Sequence, residues 1–403
     1  MSKVAVIGAG ASGLMVAGFL ADKGHDVTVL EKNEKAGKKL FITGKGRCNI
    51  TNLCTIDEFL KNVVRGDKFL RSAIYSFSSF DCVNFFEELG LKTKVERGNR
   101  VFPESDKAGD VVKVLKEKHC KNVNFSFDDE VLAINKKDDA FVVVSSKGKR
   151  TFEKVIIATG GKSYKATGSS GDGYKFAKTF GHTIEEVVPA LCPIVLKDKF
   201  VSKLQGVSLK NVELNVLADG KKLSFFGEML FTDQGISGPI VLTASSYVNR
   251  CQNVSMTLDF KPALSDKQLD ARLLRDFEEN KNKDLKNVLK GLLPKAVAEV
   301  FAEIIGLDEN KKIHDITKAE RQKLIEGLKS FKLSYGGLYD INTGIITSGG
   351  VNLKEVNPKT FESKLVPGLY FTGEVLDVDA LTGGFNLQIA WATAFSLAKN
   401  FCV

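Results

Sequence analysis

Along the first 190 residues, short apolar runs alternate with stretches whose apolar positions recur at helical spacing. Residues 3–8 (KVAVIG) read as a strand, LMVAGFLADKG as a helix that stops at Gly24, and HDVTVLEK as a second strand, so the chain opens on a βαβ unit. After a Gly/Lys-rich loop over 37–52, the periodicity predicts helices near 56–65, 67–77, 79–89 and 109–120. The stretch 123–157 (VNFSF, EVLAINKK, AFVVVSS, KVIIAT) alternates strands with charged turns, the pattern of a three- or four-stranded meander.

Near residue 190 the texture changes. CPIVL, VSLKNVELNVLA, KKLSFFGEMLF and NVSMTLDF read as antiparallel β, and residues 265–332 are Lys/Glu-rich and helical, with Pro294 at a helix start. After 340 come short strands and a closing helix, LQIAWATAFSLAKN, which read as the completion of the opening domain. The expected class is α/β: a first domain over 1–190 and 341–403, interrupted by an inserted β-plus-α domain over 191–340.

Composition narrows this further. The chain has 403 residues, enough for two to three domains, and its ordinary apolar and charged content excludes wholesale disorder and collagen-like repeats. Apolar runs stay well short of a bilayer span, and Val4–Ile7 already reads as strand, which leaves no room for a leader; a cytoplasmic protein without a membrane partner is expected. Seven cysteines (48, 54, 82, 120, 192, 251, 402), odd in number and without a CxxC, read as free thiols, and the histidines at 25, 119, 182 and 314 show no metal spacing. The net charge of +9 divides as +7 over 1–190, +3 over 191–340 and −1 over the tail. Much of it sits in one loop, where Lys32, Lys35, Lys38, Lys39, Lys45 and Arg47 face the single acid Glu34. So local a cluster fits a bound diphosphate better than a diffuse nucleic-acid face, and the charge argues against a nucleic-acid partner.

Chemistry enters at the glycines. Gly8, Gly10 and Gly13 form GAGASG between the first strand and helix, and Glu31 ends the next strand. In that context Gly8 allows a tight turn, Gly10 lets backbone amides approach a pyrophosphate, Gly13 permits close helix–strand packing, and Glu31 accepts from ribose hydroxyls. FAD and NAD share this fingerprint. The far end of the chain decides between them: LYFT is followed by Gly373-Glu374, and Gly383-Gly384 stands directly before an apolar helix. A flavin nucleotide is long enough to need such a second helix start, where partial positive charge stabilises reduced flavin. KVIIATGG (154–161) reads as a parallel strand ending in small residues where backbone passes close to the cofactor, and the loop 36–52 combines Gly, basic and Asn/Thr groups suited to the ribityl–phosphate region.

GAGASGLMVAGFLADKGHDVTVLEK, GKKLFITGKGRCNITN, NRVFPESDKAGDVV, IIATGGKSY with TGSSGDGYKFAKTFGH, and ESKLVPGLYFTGEVLDVDALTGGFNLQIAWATA together resemble the BaiN-like, aminoacetone-oxidase-type family of NAD(P)/FAD-dependent oxidoreductases over nearly the entire chain. The resemblance implies a three-layer, Rossmann-like FAD-binding domain with a β-meander, interrupted by a β-barrel-plus-helical insert. Carried over position by position, it implies FAD contacts at Gly8, Gly10, Ser12, Gly13, Glu31, Lys32, Lys39, Thr43, Gly44, Arg47, Cys48 and Asn49. It adds Val131 at the adenine, then Ala158, Thr159, Gly160, Gly373, Glu374, Asp379, Gly384, Phe385, Asn386 and Gln388. One departure stands out: FTDQGISGP carries Asp233 where relatives commonly have His.

The function expected is hydride transfer between NAD(P)H or an organic substrate and noncovalently bound FAD. Since no second complete GxGxxG is present, NAD(P)H would bind transiently, as a co-substrate in a less stereotyped site, or not at all, which leaves reductase and oxidase both open. The alternative is a flavin-containing RNA-binding or group-transfer protein in which FAD is structural or auxiliary. The catalytic acid or base stays unassigned, with three candidates. Cys48 reads as a redox thiol or a packed one, Arg100 as a substrate contact or part of a turn, and Asp233 as a replacement acid–base group. TGSSGDG (167–173) reads either as an anion site or as a glycine-rich helix start.

Overall fold

A computed structural model describes residues 1–401, which divide into two compact units: Met1–Pro189 with Gly344–Val403, and Ala190–Thr343. Cys402 lies outside the described residues; the other six cysteines are free thiols.

The first unit is built on a five-stranded parallel sheet in the order Leu369–Phe371, Lys154–Ile157, Lys3–Ile7, Asp26–Leu30, Asn124–Ser126. Lys3–Ile7 is central, with Val4 opposite Lys154 on one side and Lys3 opposite Asp26 on the other. Its apolar residues are buried on both faces, as a parallel strand covered on both sides requires. Helix Ala11–Asp22 makes the first crossover and packs on the closing helix Phe385–Lys399, so the two ends of the chain share one core. Trp391 is fully buried there, and its indole N–H donates to the Ile50 carbonyl (3.0 Å).

The meander is shorter than the sequence pattern suggested. Val131–Lys137, Ala140–Ser145 and Gly148–Phe152 form a three-stranded antiparallel sheet, while Asn124–Ser126 and Lys154–Ile157 join the parallel sheet. Local alternation cannot separate the two, because sheet membership is settled by pairing across the fold. A further small sheet of Thr51–Asn52, Arg100–Pro103 and Thr93–Glu96 anchors the end of the basic loop.

The second unit is a seven-stranded antiparallel sheet with helices Asp266–Glu279, Lys295–Ile304 and Lys318–Lys329. Its long hairpin, Ser208–Ala218 with Lys221–Phe231, turns at Asp219-Gly220, both left-handed, as a two-residue type I′ connection demands. Phe331–Leu333 and Tyr335–Leu338 stand at opposite ends of the strand order yet are separated by Ser334 alone. With a single residue between them, the two strand ends are two Cα steps apart, at most ~7 Å, so the sheet curls until its edges come close. The observed pairings leave the expected barrel as a curled sheet joined edge to edge through the chain. No helix among the described residues is long and apolar enough to cross a membrane.

Tight packing in the first helix sets one expectation. A Cβ on Gly18 would lie 2.3 Å from the imidazole of His119, which is buried and hydrogen-bonded to the Met15 carbonyl at 3.0 Å. Gly18→Ala should therefore cost ~1–3 kcal/mol through overpacking, despite the better helix propensity of Ala. Urea unfolding of both proteins checks this, and equal stability would refute the contact.

Candidate functional site

The sequence-predicted residues other than Asp233 lie in the first unit, several of them around the start of helix Ala11–Asp22. Gly8 has φ +104°, and a Cβ there would come 2.8 Å from the Ala158 carbonyl oxygen; a Cβ on Gly13 would come 2.0 Å from the Gly8 carbonyl oxygen. Both positions are closed to side chains by backbone. Gly10 differs, with nothing within 4 Å of its would-be Cβ, and no side chain caps the helix that starts there. Orphan N–H groups and the positive end of the helix thus face open space, the arrangement that takes a phosphate.

Glu31 is buried beside this turn. Its Oε2 accepts from the Ala9 N–H (2.8 Å), and its Oε1 accepts from the Asn33 N–H (2.9 Å) and Nδ2 (2.6 Å). The carboxylate therefore stiffens the turn, and Oε2 keeps a lone pair for a further donor. Val131 follows close behind, since the Asp129 N–H donates to the Glu31 carbonyl.

The basic loop is largely paired within the protein. Lys32 donates to Ser170 Oγ (2.5 Å) and Asp172 Oδ2 (2.7 Å). Burial pushes the Asp172 carboxyl up, but its hydrogen bonds from Lys32 and Ser170 outweigh this and bring it down to about 2. That carboxylate stands in the first turn of helix Asp172–Thr179, where it would repel an incoming phosphate, so TGSSGDG acts as a glycine-rich helix start. Lys39 donates to Ser163 Oγ (2.8 Å) and Glu374 Oε2 (2.8 Å), and Glu374 also accepts from the Thr347 N–H (2.9 Å). Arg47 is held by Glu96 and Asp106 and lies 4.2 Å from the Phe102 ring centroid; these bonds raise its affinity for the proton further. Thr43 Oγ1 donates to the Leu40 carbonyl (2.7 Å), and Gly44 packs against Asn49.

Cys48 is fully buried, and burial pushes its thiol up to about 12, which keeps it protonated at neutral pH. A packed thiol describes it better than a redox nucleophile. The side chains of Asn49 and Thr159 each carry a buried oxygen, Oδ1 and Oγ1, that has no hydrogen-bond partner among the described residues. Ala158, Thr159 and Gly160 end the strand Lys154–Ile157, and a Cβ on Gly160 would lie 3.8 Å from Glu374 Oε2.

The C-terminal segment reaches the same place. Ser12 Oγ donates to the Thr372 carbonyl (3.4 Å), and a Cβ on Gly373 (φ +75°) would lie 2.5 Å from Ser12 Oγ. Gly384 (φ +99°) lies against the Thr51 backbone and starts the closing helix without a side-chain cap; Phe385 is its first, buried residue. Asn386 brackets the Ala380 backbone at 2.9 and 2.7 Å, and buried Gln388 takes the Thr51 hydroxyl (2.8 Å) while donating to the Phe77 carbonyl (2.8 Å). Asp379 is fully buried, with Arg65 Nε 3.6 Å away. Arg100 is exposed, its Nε on the Arg97 carbonyl (3.0 Å). Asp233, in the second unit, is exposed and accepts from Tyr339 OH (3.2 Å). Sequence reasoning missed Ser163, Thr347 and Asp172; their one signal was a position beside glycines, in GGKSY, ITSGG and SGDG.

The chain is similar to known proteins over nearly its whole length. The family described as an HI0933-like protein Rossmann domain matches residues 2–400. The 3-dehydro-bile acid delta(4,6)-reductase of Clostridium scindens is 31% identical over 404 residues, covering 98% of each chain. A ribosomal RNA dihydrouridine synthase of Escherichia coli is 32% identical over 396 residues, 98% of this chain and 96% of that one. Among solved structures, the 3-ketosteroid-Δ4-(5α)-dehydrogenase of Rhodococcus jostii RHA1 aligns with 99% of this chain and 97% of its own, with a TM-score of 0.51 at 14% identity, a likeness of fold.

The Asp172 site carries a pH expectation. A carboxyl held at about 2 when folded, below its ordinary 3.8, contributes stability that is present above the ordinary value and lost as pH falls towards about 2. Asp172→Asn should lower stability near pH 6, and its deficit against the parent should shrink on acidification. Urea melts across that range report it; a deficit independent of pH would count against the ion pair.

Proposed function

The chain belongs to the HI0933-like Rossmann family of FAD-dependent oxidoreductases, and on that premise we propose that it holds FAD noncovalently in the unit made from both chain ends and uses it to reduce a conjugated carbon–carbon double bond, with NAD(P)H as donor. The observation that carries this reading is the uncapped helix start at Gly10, open where Gly8 and Gly13 are closed. The residues present fit the cofactor: Gly10 would fill with a side chain, and Asn49 Oδ1 and Thr159 Oγ1 are buried acceptors in need of a donor.

When bound, FAD supplies the two-electron chemistry, taking a hydride from the donor and giving it to the substrate. The protein's residues bind and orient. Backbone N–H groups from Gly10 onward would hold the diphosphate, Glu31 a ribose, and the start of the closing helix at Gly384 would set its positive end against the charge that builds up on reduction. Lys39 and Glu374, already paired, would place an ammonium and a carboxylate at the ribityl side without net charge.

The substrate class rests on the names of the two relatives. One is a reductase of double bonds in a 3-dehydro bile acid and the other makes dihydrouridine in ribosomal RNA. Both reactions add a hydride and a proton across a carbon–carbon double bond conjugated to a carbonyl. A uridine in RNA is the reading favoured by the names of two ribosomal RNA dihydrouridine synthases among the relatives, against the expectation drawn from the local basic cluster.

The absorbance spectrum of the purified protein tests the cofactor: a yellow protein that releases FAD on heating and bleaches anaerobically with NADH or NADPH is expected, and a colourless protein that takes up no FAD would refute it. Gly10→Val should fold but purify without flavin, and full occupancy would remove the phosphate assignment. Glu31→Ala should weaken FAD about tenfold, the loss of one charge-assisted hydrogen bond, measured by titration of the apoprotein.

A further inference from the structure

Two segments far apart in the chain fold into one strongly basic face of the first unit. Residues 35–47 carry five basic side chains and no acid, and residues 92–107 carry five more against three acids. These 29 residues hold a net charge of +7 in a chain whose total is +9. The fold joins them: Thr51–Asn52 pairs with Arg100–Pro103, Arg47 bonds Glu96 and Asp106, and Gly44 packs against the Phe102 ring.

A diphosphate does not account for so much charge. Within the loop, Lys39 is paired with Glu374, Lys38 with Glu34, and Arg47 with two carboxylates. Lys35, Lys45, Arg97, Arg100 and Lys107 remain exposed. Apolar surface is exposed among them: Phe41 at 37% and Ile42 at 42%, with Lys35 Nζ 5.5 Å from the Phe41 ring centroid. Lys45 is exposed and left-handed between two left-handed glycines. Spread cations and an exposed ring match a polyanion that also offers flat bases to stack.

We propose that this face, with Lys35, Phe41, Lys45 and Arg97 at its centre, docks an unpaired segment of RNA. The cations neutralise successive phosphates and Phe41 stacks on a base. The inference rests on the RNA reading of the substrate given above, but binding needs no reductant and is measured apart from it.

The test uses the flavin-loaded full chain and a fluorescein-labelled oligouridylate of about 12 nucleotides, within the span one such surface covers. Anisotropy at about 50 mM salt should show binding that weakens steeply as salt rises. The double variant Arg97→Glu with Lys107→Glu should bind at least tenfold more weakly and with a shallower salt slope. Phe41→Ala should lose about tenfold with the slope unchanged, because a stacking contact releases no counterion. Each variant should keep the parent's flavin content and its bleaching by pyridine nucleotide, so a failure of the FAD reading shows as a colourless parent while a failure of docking shows as a yellow protein indifferent to RNA. Absent binding by the parent, variants that bind as the parent does, or equal affinity for heparin of matched charge would each overturn the proposal.

Discussion

Everything in the first unit depends on how closely backbone approaches the start of helix Ala11–Asp22. Gly13 sits on the Gly8 carbonyl and Gly8 on Ala158, each nearer than any side chain allows, while Gly373 arrives from the far end of the chain against Ser12. These contacts draw three strand ends and one helix start to a single point. They explain why a domain interrupted by about 150 residues still closes, since its two halves share a core that neither completes alone. They also leave one gap, at Gly10, so the tightness around it defines the site.

Charge around that gap is arranged in pairs. Lys32 with Asp172, Lys39 with Glu374 and Arg47 with Glu96 and Asp106 each tie the loop after the second strand to another segment. Partly exposed pairs of this kind add little stability individually. Their effect is geometric: the loop is stitched in three places, and the glycines between the stitches carry the left-handed turns. On the proposed reading, a dinucleotide would meet a shaped surface with little excess charge near its phosphates, and the surplus would be displaced outward.

What was legible in the sequence is what depends on backbone. Gly8, Gly10 and Gly13 announce themselves by spacing, and Gly384 by its place before an apolar helix; at Gly8, Gly13 and Gly384 neighbouring backbone leaves no room for a side chain, and local order encodes that. The family resemblance, carried by GKGRCN and GEVLDVDALTGGFN, held over the whole chain. The pairing of Lys39 with Glu374, 335 residues apart, was not legible, nor was Thr347 beneath Gly161, because neither leaves a periodic trace. One meander boundary failed for the same reason: Asn124–Ser126 looks alike in an antiparallel hairpin and in a parallel sheet until its partner Thr28–Leu30 is known, whereas Lys154–Ile157 is the parallel strand its small-residue ending suggests. Charge misled in a different way. Counted by chain segment, it pointed to a diphosphate and away from nucleic acid; placed on the fold, residues 35–47 and 92–107 become one surface, and the acids that offset them become visible.

That redistribution bears on how one scaffold reduces a steroid in one relative and an RNA base in another. The reacting group is similar in both, an alkene made electron-poor by a carbonyl, so the flavin end of the site has no need to differ much. Discrimination must then come from what surrounds the reacting carbon: an apolar molecule is selected by enclosure, a polynucleotide by contacts to phosphates and bases beyond the one being reduced. Exposed Phe41 and Ile42 amid Lys35, Lys45 and Arg97 do not enclose anything, yet they present a charged, stackable surface that a small neutral substrate would leave unused. On the function proposed above, the specificity of this chain would be written outside the cofactor cradle, on the solvent side of the loop whose buried side would help to build it.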